Sequence, residues 1–489
     1  MANVITAKAI VLPSFSLTET CGEGDFGAIK RAIPAVGENP AKSYYIRSIA
    51  AEIDAGRKNS PMWIRQQFNW LPLVLDRDSQ PWDVAVVYIL ARLQQVVDPN
   101  MTTYRGVAED LAAFLGFLEE RQADYTDFPQ HKLKRPTYRF HGYLQNLIFE
   151  GSLAATTAKR RMGAVISFYR WLVAEGLLAP AHPPWQERDH YLTFKDVRGF
   201  SLGKVVKTTD VSIKAPKQND PYGGTIDDGG KLRPLPIQEQ KWLIEALACL
   251  GNVEMTLIHV LMLATGARIQ TALTLCVRHV YSELPDRISE FRLPVGAGTG
   301  IDTKYDKRIT LCIPRWLYER LCIYSRSERA RRRRAIAPGG DSKDQYLFLT
   351  QQGHSYYQRK SETRAFNPSV KVRHQKRGQT FRAFITERVI PYIRQHHDSA
   401  FHYRVHDLRA TYGMNLTDIQ LTRVERGEIT LTQAREFVRT RMGHESSAVT
   451  DLYLNYRRNL KMVYDAVDAH EEYYRDLIEK AWEGKLDFA

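Results

Sequence analysis

Four short patterns in the second half of the chain carry side chains that could act on an anionic substrate. Arg268 lies in ATGARIQTALTL, between two apolar stretches of helical character. A buried guanidinium is costly unless an anion meets it, so Arg268 suggests an anion site, while an exposed arginine at a helix start is the alternative. Lys304 and Lys307 lie in TKYDKRITLCIP, at a turn before a predicted strand, where a lysine is commonly just exposed.

The other two patterns join a histidine to a second polar group. In HDLRATYG, His406 and Arg409 are three residues apart, so they share one face of a helix and could hold a phosphate together. In RMGHESSAVTDLYLNY, His444 follows Gly443, and Tyr453 comes nine residues later on an apolar stripe, where a tyrosine is normally part of the core. The same segment also fits a helix-turn-helix with Gly443 at the turn and a short polar second helix, which is the alternative interpretation.

The joint order of these groups, Arg, Lys, His-x-x-Arg, Gly-His and a later Tyr, resembles the tyrosine recombinase family, also called phage-type integrases. The resemblance covers roughly residues 99–460, by helix pattern first and then by motif. It implies six catalytic residues: Arg268, Lys304, His406, Arg409, His444 and Tyr453. Lys307 competes with Lys304 for the lysine position, and Tyr456 is a weaker rival of Tyr453, which alone has the family's spacing from the Gly-His pair.

Phosphodiester chemistry agrees with these assignments. The transition state gains charge on its non-bridging oxygens, which the two guanidinium forks of Arg268 and Arg409 can clamp. A phenol with a reference pKa of about 10 is a poor nucleophile at neutral pH. Tyr453 therefore needs neighbouring cations and a base within hydrogen-bond reach, for which His406 and His444 are the candidates.

The leaving group and the product complete the expected reaction. Lys304 could protonate the departing 5′ oxygen if neighbouring arginines lower its pKa. The product would be a 3′-phosphotyrosine with a free 5′-hydroxyl, and an incoming 5′-hydroxyl would reverse the step. Because the tyrosyl bond conserves the phosphodiester energy, we expect no cofactor and no metal. The sequence accordingly shows neither a P-loop pattern nor a metal-binding carboxylate cluster.

Two positions depart from the family pattern, and one segment is longer than expected. Thr271 stands where the family usually has Glu, and Ala410 stands where a second His is common, which leaves open how the arginines are held. The long segment, residues 325–402, contains six Arg and one Glu within residues 326–334. This Arg-rich insertion could contact DNA or a partner, or it could be a mobile solvated loop.

Composition favours a polyanionic partner, nucleic acid first. The 489 residues carry 69 Lys and Arg against 55 Asp and Glu, a net charge of +14. The 44% apolar content predicts a folded chain of roughly two to four domains. Five scattered cysteines without a CxxC pair indicate neither a disulfide framework nor a zinc site. With no signal-peptide pattern and no long apolar run, we expect a soluble, cytoplasmic, nucleoid-associated protein without membrane contact.

The domain prediction has four parts. An N-terminal extension of unknown role covers residues 1–98, and a helical, SAM-like core-binding domain covers 99–180. A Pro-, Lys- and Gly-rich composition at 181–231 predicts an extended linker. Residues 232–489 are predicted to form a mixed, mainly α catalytic domain with a small antiparallel β-sheet, the Arg-rich insertion and a C-terminal tail.

Periodicity locates the elements within these domains. Apolar residues at helical spacing predict helices at 103–118, 138–148 and 157–174, and short apolar clusters predict strands at 288–295 and 308–313. A third strand is expected at 346–349. The helix at 157–174 also carries basic residues that could track a DNA backbone or form an ordinary solvated face. They are Lys159, Arg160, Arg161 and Arg170.

The resemblance implies a DNA-cleaving and rejoining enzyme that integrates or excises a mobile element. Its partners would be double-stranded DNA, three further copies in a homotetramer on paired sites, and accessory DNA-bending or directionality proteins. The tail after Tyr456 could dock on a neighbouring copy or pack on its own chain. Two alternatives remain: a catalytically inactive DNA-binding relative acting as a repressor, and a topoisomerase IB-like or telomere-resolving enzyme.

Overall fold

The structure is a computed structural model that describes residues 6–16, 18–21, 31–34, 43–48, 67–195, 201–215, 224–280, 287–367, 370 and 373–482. Contacts divide the chain into two units. The first comprises Met1–Gln218 and Thr363–His374, and the second comprises Asn219–Glu362 and Gln375–Ala489. The stretch 181–231, predicted as a linker, therefore contributes residues to both units.

Amphipathic stripes build the helices of the first unit. These are α1 (Asp83–Gln94), α2 (Met101–Glu120), α3 (Pro136–Phe149) and α4 (Ala155–Ala174). The Asn100 side chain accepts a hydrogen bond from the Thr102 backbone N–H and so fixes the start of α2. Phe114 of α2 contacts Phe140 of α3 edge-on, and Tyr169 of α4 completes this fully buried aromatic core. The three helices predicted from periodicity are confirmed.

Strands occupy the parts of the first unit for which the sequence pattern indicates no element or a linker. They are β1 (Lys8–Ser16), β2 (Thr18–Cys21), β3 (Arg31–Pro34), β4 (Ser43–Ser48), β5 (Gln67–Leu75), β6 (Glu187–Lys195) and β7 (Ser201–Thr209). β1 pairs antiparallel with the buried β5, and β2, β4 and β3 form a three-stranded antiparallel sheet in that order. β6 and β7 form an antiparallel hairpin, because pairing satisfies backbone groups that an extended linker would leave to water.

The second unit is mainly helical. Its helices are α5 (Ile237–Leu250), α6 (Val253–Thr265), α7 (Ile269–Leu273), α8 (Arg315–Arg326), α9 (Glu328–Ile336), α10 (Gln379–Phe384), α11 (Ile390–His396), α12 (Asp407–Glu425), α13 (Leu431–Met442) and α14 (Ser447–Trp482). One continuous core joins Leu261 of α6, Leu317 of α8 and Phe381 of α10, which are all fully buried. None of the described helices is long and apolar enough to span a membrane.

The predicted sheet of the second unit has two long strands rather than three. β8 (Ile226–Asp227) pairs with β9 (Lys231–Leu232), and β10 (Glu290–Val295) pairs antiparallel with β11 (Ile309–Pro314). The prediction of a strand at 346–349 is wrong, since Tyr346 and Leu349 make only isolated bridges, to Cys276 and to Ser355. Its apolar run reflects burial in the core, which a sequence pattern of this length cannot distinguish from a strand.

The Arg-rich segment is part of the packed fold. Arg329 and Arg333 of α9 lie 2.8 Å and 3.1 Å from the carboxylate of Glu254, which is fully buried. Arg334 pairs with Asp341 at 2.6 Å and is itself 3% exposed. The segment is therefore an ordered helix anchored on carboxylates, and the mobile-loop alternative is wrong.

His259 makes the stability of the second unit sensitive to acid. Its Nδ1–H donates to the Met255 carbonyl at 2.6 Å, and its Nε2 accepts from the Tyr403 hydroxyl at 2.9 Å, which suits the neutral ring. Burial lowers the pKa of His259 to about 4, against about 6.5 in an unfolded chain. Between these values only the unfolded chain binds the proton, so stability falls as pH drops from about 6.5 to about 4, by about 3 kcal/mol.

Urea unfolding at several pH values checks this expectation. His259→Gln removes the titrating group, so the free energy of unfolding of the variant should lose less on acidification than that of the parent. Parallel pH profiles for the two proteins would contradict it.

Candidate active site

The junction between α6 and α7 presents Arg268. α6 ends at Thr265, and Gly266 follows in the left-handed conformation, at φ 65°. A Cβ atom at Gly266 would lie 2.5 Å from Cδ1 of Tyr412, so glycine is required on two counts. Arg268 then stands at the start of α7 with its side chain 25% exposed, which leaves the guanidinium partly accessible.

Arg409 lies in the first turn of α12, whose N-terminal flank is His406. Its guanidinium donates to the carbonyl of Gly266 and to that of Met442, both at 2.7 Å. The third contact, from Nε to Oδ2 of Asp228, measures 3.3 Å. With 4% exposure, Arg409 is a permanent positive charge held in one orientation by main-chain oxygens.

The connection between α13 and α14 supplies His444 and Tyr453. Gly443 ends α13 at φ 64°, and the next residue, His444, bonds through Nδ1 to the Thr450 hydroxyl at 3.0 Å. The rings of His444 and Tyr453 are stacked with centroids 5.7 Å apart. Tyr453 is fully buried, and its hydroxyl donates to Oδ2 of Asp228 at 3.1 Å. Tyr453 therefore lies on the apolar side of α14, but its hydroxyl contacts polar groups.

Asp228 is the point at which these groups meet. Its Oδ2 lies 3.3 Å from Nε of Arg409, 3.3 Å from Nε2 of His444 and 3.1 Å from the Tyr453 hydroxyl oxygen. Its Oδ1 lies 4.0 Å from Arg268. The side chain of Asp228 is 7% exposed, so its carboxylate is almost completely buried among these polar groups.

Sequence reasoning missed Asp228. It stands in the turn IDDGGK between β8 and β9, within the stretch whose composition predicts a linker. Its partner Tyr453 is 225 residues away, and no local spacing links the two. The one local signal is an acidic pair followed by two glycines, Asp227–Gly230, which is typical of a tight turn and does not by itself indicate a site.

Mutual electrostatics set the charge states in this cluster. Burial would raise the pKa of Asp228, but the hydrogen bond with His444 and the charges of Arg409 and Arg268 hold it well below its usual range. Burial and the Asp228 carboxylate raise the pKa of Tyr453 well above its usual value. Burial and the like charge of Arg409 lower the pKa of Arg268 to about 10, which leaves it protonated at neutral pH.

The surroundings of both histidines favour the uncharged imidazole. Partial burial, followed by the positive charges of Arg268 and Arg382, lowers the pKa of His406. Burial also lowers the pKa of His444, although Asp228 opposes the effect. A neutral imidazole has a nitrogen lone pair, so either ring can accept a proton.

The two candidate lysines occupy different places. Lys307 donates from Nζ to the carbonyl of Gly443 at 2.8 Å, so it fixes the loop that carries His444. Lys304 lies in a tight turn, where its Nζ would be 3.3 Å from a Cβ atom at Gly229. It therefore borders the Asp228 turn, while Lys307 is committed to the backbone.

The positions that depart from the family pattern are both buried. Thr271 donates its hydroxyl to the carbonyl of Asp302 at 2.9 Å and so ties α7 to the hairpin loop. Ala410 is fully buried in α12. The main-chain carbonyls of Gly266 and Met442 hold Arg409 together with the Asp228 carboxylate.

The basic residues predicted to contact DNA lie on α4 of the first unit. They are Lys159, Arg160, Arg161 and Arg170. Arg160 pairs with the buried Asp110 at 3.1 Å, and Arg170 pairs with Glu187 at 3.2 Å. Lys159, Arg160 and Arg170 are exposed. Two of the four charges thus have acidic partners, and a role in DNA binding stays a prediction.

The alternative interpretations of the C-terminal segment receive different answers. The helix-turn-helix interpretation predicts a short second helix, but α14 is 36 residues long, so this part of the interpretation is wrong. The hydroxyl of Tyr456 donates to the carbonyl of Gly224 at 3.3 Å. Tyr453, in contrast, is the tyrosine that shares a carboxylate with Arg409.

No protein-family model matches the chain, and no curated protein sequence matches it. Solved structures similar to it include XerH site-specific recombinase bound to palindromic difH substrate, at 13% identity and a TM-score of 0.43 over 80% of this chain and 89% of that one. Tn1549 transposon integrase in complex with circular intermediate DNA has 14% identity and a TM-score of 0.41, and the match covers 76% of this chain and 94% of that one. A lambda integrase dimer bound to a COC′ core site has 14% sequence identity and a TM-score of 0.39, and the match covers 75% of this chain and 94% of that one.

Gly413 tests how tightly Tyr453 is packed. A Cβ atom at this position of α12 would lie 2.5 Å from Cε1 of Tyr453 and 2.8 Å from the terminal methyl of Met442. Gly413→Ala should therefore displace the tyrosine and lower the free energy of unfolding by about 1–3 kcal/mol, as overpacking does. Denaturant unfolding measures this loss.

Gly163 is the matched control, a helical glycine of α4 at which an added Cβ atom would meet nothing within 4 Å. Gly163→Ala should be neutral or stabilising by up to about 1 kcal/mol. Equal losses in the two variants would show that the tyrosine contact is not the cause.

Proposed function

We propose that the protein is a site-specific tyrosine recombinase that cleaves and rejoins duplex DNA through a 3′-phosphotyrosine intermediate. One observation carries the proposal: Arg268, Arg409, His444 and Tyr453 converge on a single anion, the carboxylate of Asp228. Guanidinium forks that bind a carboxylate have the geometry that binds a phosphate. A tyrosine hydroxyl 3.1 Å from that anion stands where a nucleophile would stand relative to a bound phosphodiester.

Charge stabilisation is the first contribution of this site. Arg268 and Arg409 would bind the non-bridging oxygens of the scissile phosphate and neutralise the charge that grows there during attack. Arg409 is nearly buried and fixed by two carbonyls, so it needs no reorganisation when the transition state forms.

Activation of the nucleophile is the second contribution. With an ionised carboxylate beside it, Tyr453 keeps its proton because its pKa is raised. Once a phosphodiester takes the position between the arginines, a neutral histidine can accept that proton as the phenol oxygen attacks phosphorus. His444 stacks on the tyrosine ring and contacts the same carboxylate oxygen, which favours it over His406 as the base. With a phosphodiester in place of the carboxylate, the tautomer whose Nδ1–H donates to Thr450 leaves the Nε2 lone pair to take the tyrosine proton.

Departure of the 5′ oxygen completes cleavage. Attack by Tyr453 forms the tyrosine–phosphorus bond and breaks the bond to the 5′ oxygen, which takes a proton from Lys304. Attack by the 5′-hydroxyl of another strand then releases the tyrosine and restores a phosphodiester. The number of phosphodiester bonds is unchanged, so the exchange needs no external energy source.

The wider assembly follows from the same proposal. A net charge of +14 suits double-stranded DNA as substrate. We place four copies on paired sites during integration or excision of a mobile element, assisted by DNA-bending or directionality proteins. The last turns of α14 expose Tyr473, Tyr474 and Ile478, at 60%, 50% and 44%, which suits docking on a neighbouring copy.

Tyr453→Phe is the direct test of the nucleophile. The variant removes one oxygen, so covalent protein–DNA adducts should disappear while folding and DNA occupancy persist. We would isolate covalently bound DNA from the native cells and map the attached 3′ ends, which also locates the site.

Tyr456→Phe is the matched control, because the hydroxyl of Tyr456 donates to the main-chain carbonyl of Gly224. Adducts should survive in it. Adducts that persist in Tyr453→Phe would move the nucleophile elsewhere, and absence from all three proteins would favour the inactive DNA-binding relative. Supercoil relaxation without two-site exchange would favour the topoisomerase-like alternative.

Lys304→Met separates the two lysines. If Lys304 protonates the 5′ oxygen, the variant should cleave ordinary DNA about 100-fold or more slowly. A substrate with sulfur at the bridging 5′ position should restore the rate, because a thiolate leaves without a proton. Lys307→Met, which loses a structural bond to Gly443, should not be rescued by sulfur. Rescue of Lys307→Met alone would reverse the assignment.

A further inference from the structure

We propose that the β8–β9 turn is an autoinhibitory plug: the Asp228 carboxylate occupies the position of the scissile phosphate and must leave before DNA can be cleaved. This inference rests on the proposed function for its consequence, but the plug itself is a claim about an anion site. The structure then represents the closed state of the second unit.

Contacts of the carboxylate support this assignment. Oδ2 faces Arg409, His444 and Tyr453 at 3.1–3.3 Å, and Oδ1 faces Arg268 at 4.0 Å. These are the groups that the proposed mechanism directs at a phosphodiester. A single side chain of the protein thus faces Arg268, Arg409, His444 and Tyr453 together.

Charge makes the two occupants mutually exclusive. The pKa of Asp228 lies well below its usual range despite burial, so the carboxylate is ionised at neutral pH. A phosphodiester placed between the same arginines would meet a second anion at contact distance. The plug also keeps Tyr453 protonated, since the carboxylate accepts a hydrogen bond from the tyrosine hydroxyl and helps to raise its pKa.

The short pairing and the glycines of the β8–β9 turn would allow its tip to move away from the site. Only two residue pairs, Ile226–Leu232 and Asp227–Lys231, hold β8 to β9. Between them Gly229 and Gly230 adopt φ 74° and φ 146°, where the absence of a side chain leaves the backbone freedom to change. Ile226 is 2% exposed and packs near Tyr453, so the base of the hairpin is anchored while its tip carries the plug.

Withdrawal would also uncover the proposed general acid. The Nζ atom of Lys304 is 3.3 Å from the Cβ position that a side chain at Gly229 would have. The turn therefore lies against both the anion position and the lysine that would protonate the leaving group. One movement of a short segment opens both.

Inorganic sulfate tests the plug without reference to catalysis. We would compare melting temperatures in sodium sulfate and in sodium chloride of equal ionic strength for the wild type, Asp228→Asn and Asp227→Asn. Asp227 is the matched control, an exposed carboxylate one position earlier in the same turn. Sulfate stabilises proteins generally through exclusion from their surface, so only differences among the three proteins count.

Asp228→Asn should gain about 3 °C more from sulfate than the other two proteins, because its arginines are open to an anion. Equal responses in all three proteins would overturn the plug. Should the variant fail to fold, hydrogen exchange of the wild type replaces it: sulfate should speed exchange in peptides covering residues 226–232, and unchanged or slower exchange there overturns the plug.

Adduct formation then separates this inference from the proposed function. On DNA carrying the mapped site, Asp228→Asn should form Tyr453 adducts about tenfold faster than the wild type and Asp227→Asn. Slower adduct formation in Asp228→Asn would make the carboxylate part of the catalytic machinery and overturn the plug. A sulfate response in Asp228→Asn without adducts in any of the proteins would support the plug while the recombinase proposal fails.

Discussion

Two guanidinium groups that converge on one position inside a protein need an anion there. Arg268 and Arg409 carry this constraint, and the like charge of Arg409 is one reason why the pKa of Arg268 falls to about 10. Without a negative partner the pair would repel and lose solvation at the same time. The surrounding helices hold these two charges close together, and the β8–β9 turn provides the anion, Asp228, that they need.

Close packing of the helices fixes the positions of these side chains. Gly266 allows Tyr412 of α12 to approach the α6–α7 junction, and Gly413 of the same helix leaves room for the ring of Tyr453. A methyl group at either glycine would overlap an aromatic ring, so each marks a place where two segments meet more closely than side chains normally permit. Arg409 comes from α12, whereas His444 and Tyr453 come from the connection between α13 and α14, yet all three lie within hydrogen-bond distance of one carboxylate.

Sequence reasoning succeeded where chemistry or periodicity is local. The helical stripes placed α2, α3 and α4, and the motif order selected Arg268, Arg409, His444 and Tyr453, which the structure brings together. It failed where the outcome depends on distant partners. The acidic partner of the arginines lies in a stretch whose composition predicts a linker, and the run at 346–349 is apolar because it is buried and not because it pairs as a strand.

Two main-chain carbonyls, together with the Asp228 carboxylate, orient Arg409. The carbonyls of Gly266 and Met442 belong to two helix ends, so their positions depend on the backbone conformation there, which at position 266 requires glycine. A substitution that moves either helix end should therefore turn this arginine even when every side chain of the site is kept.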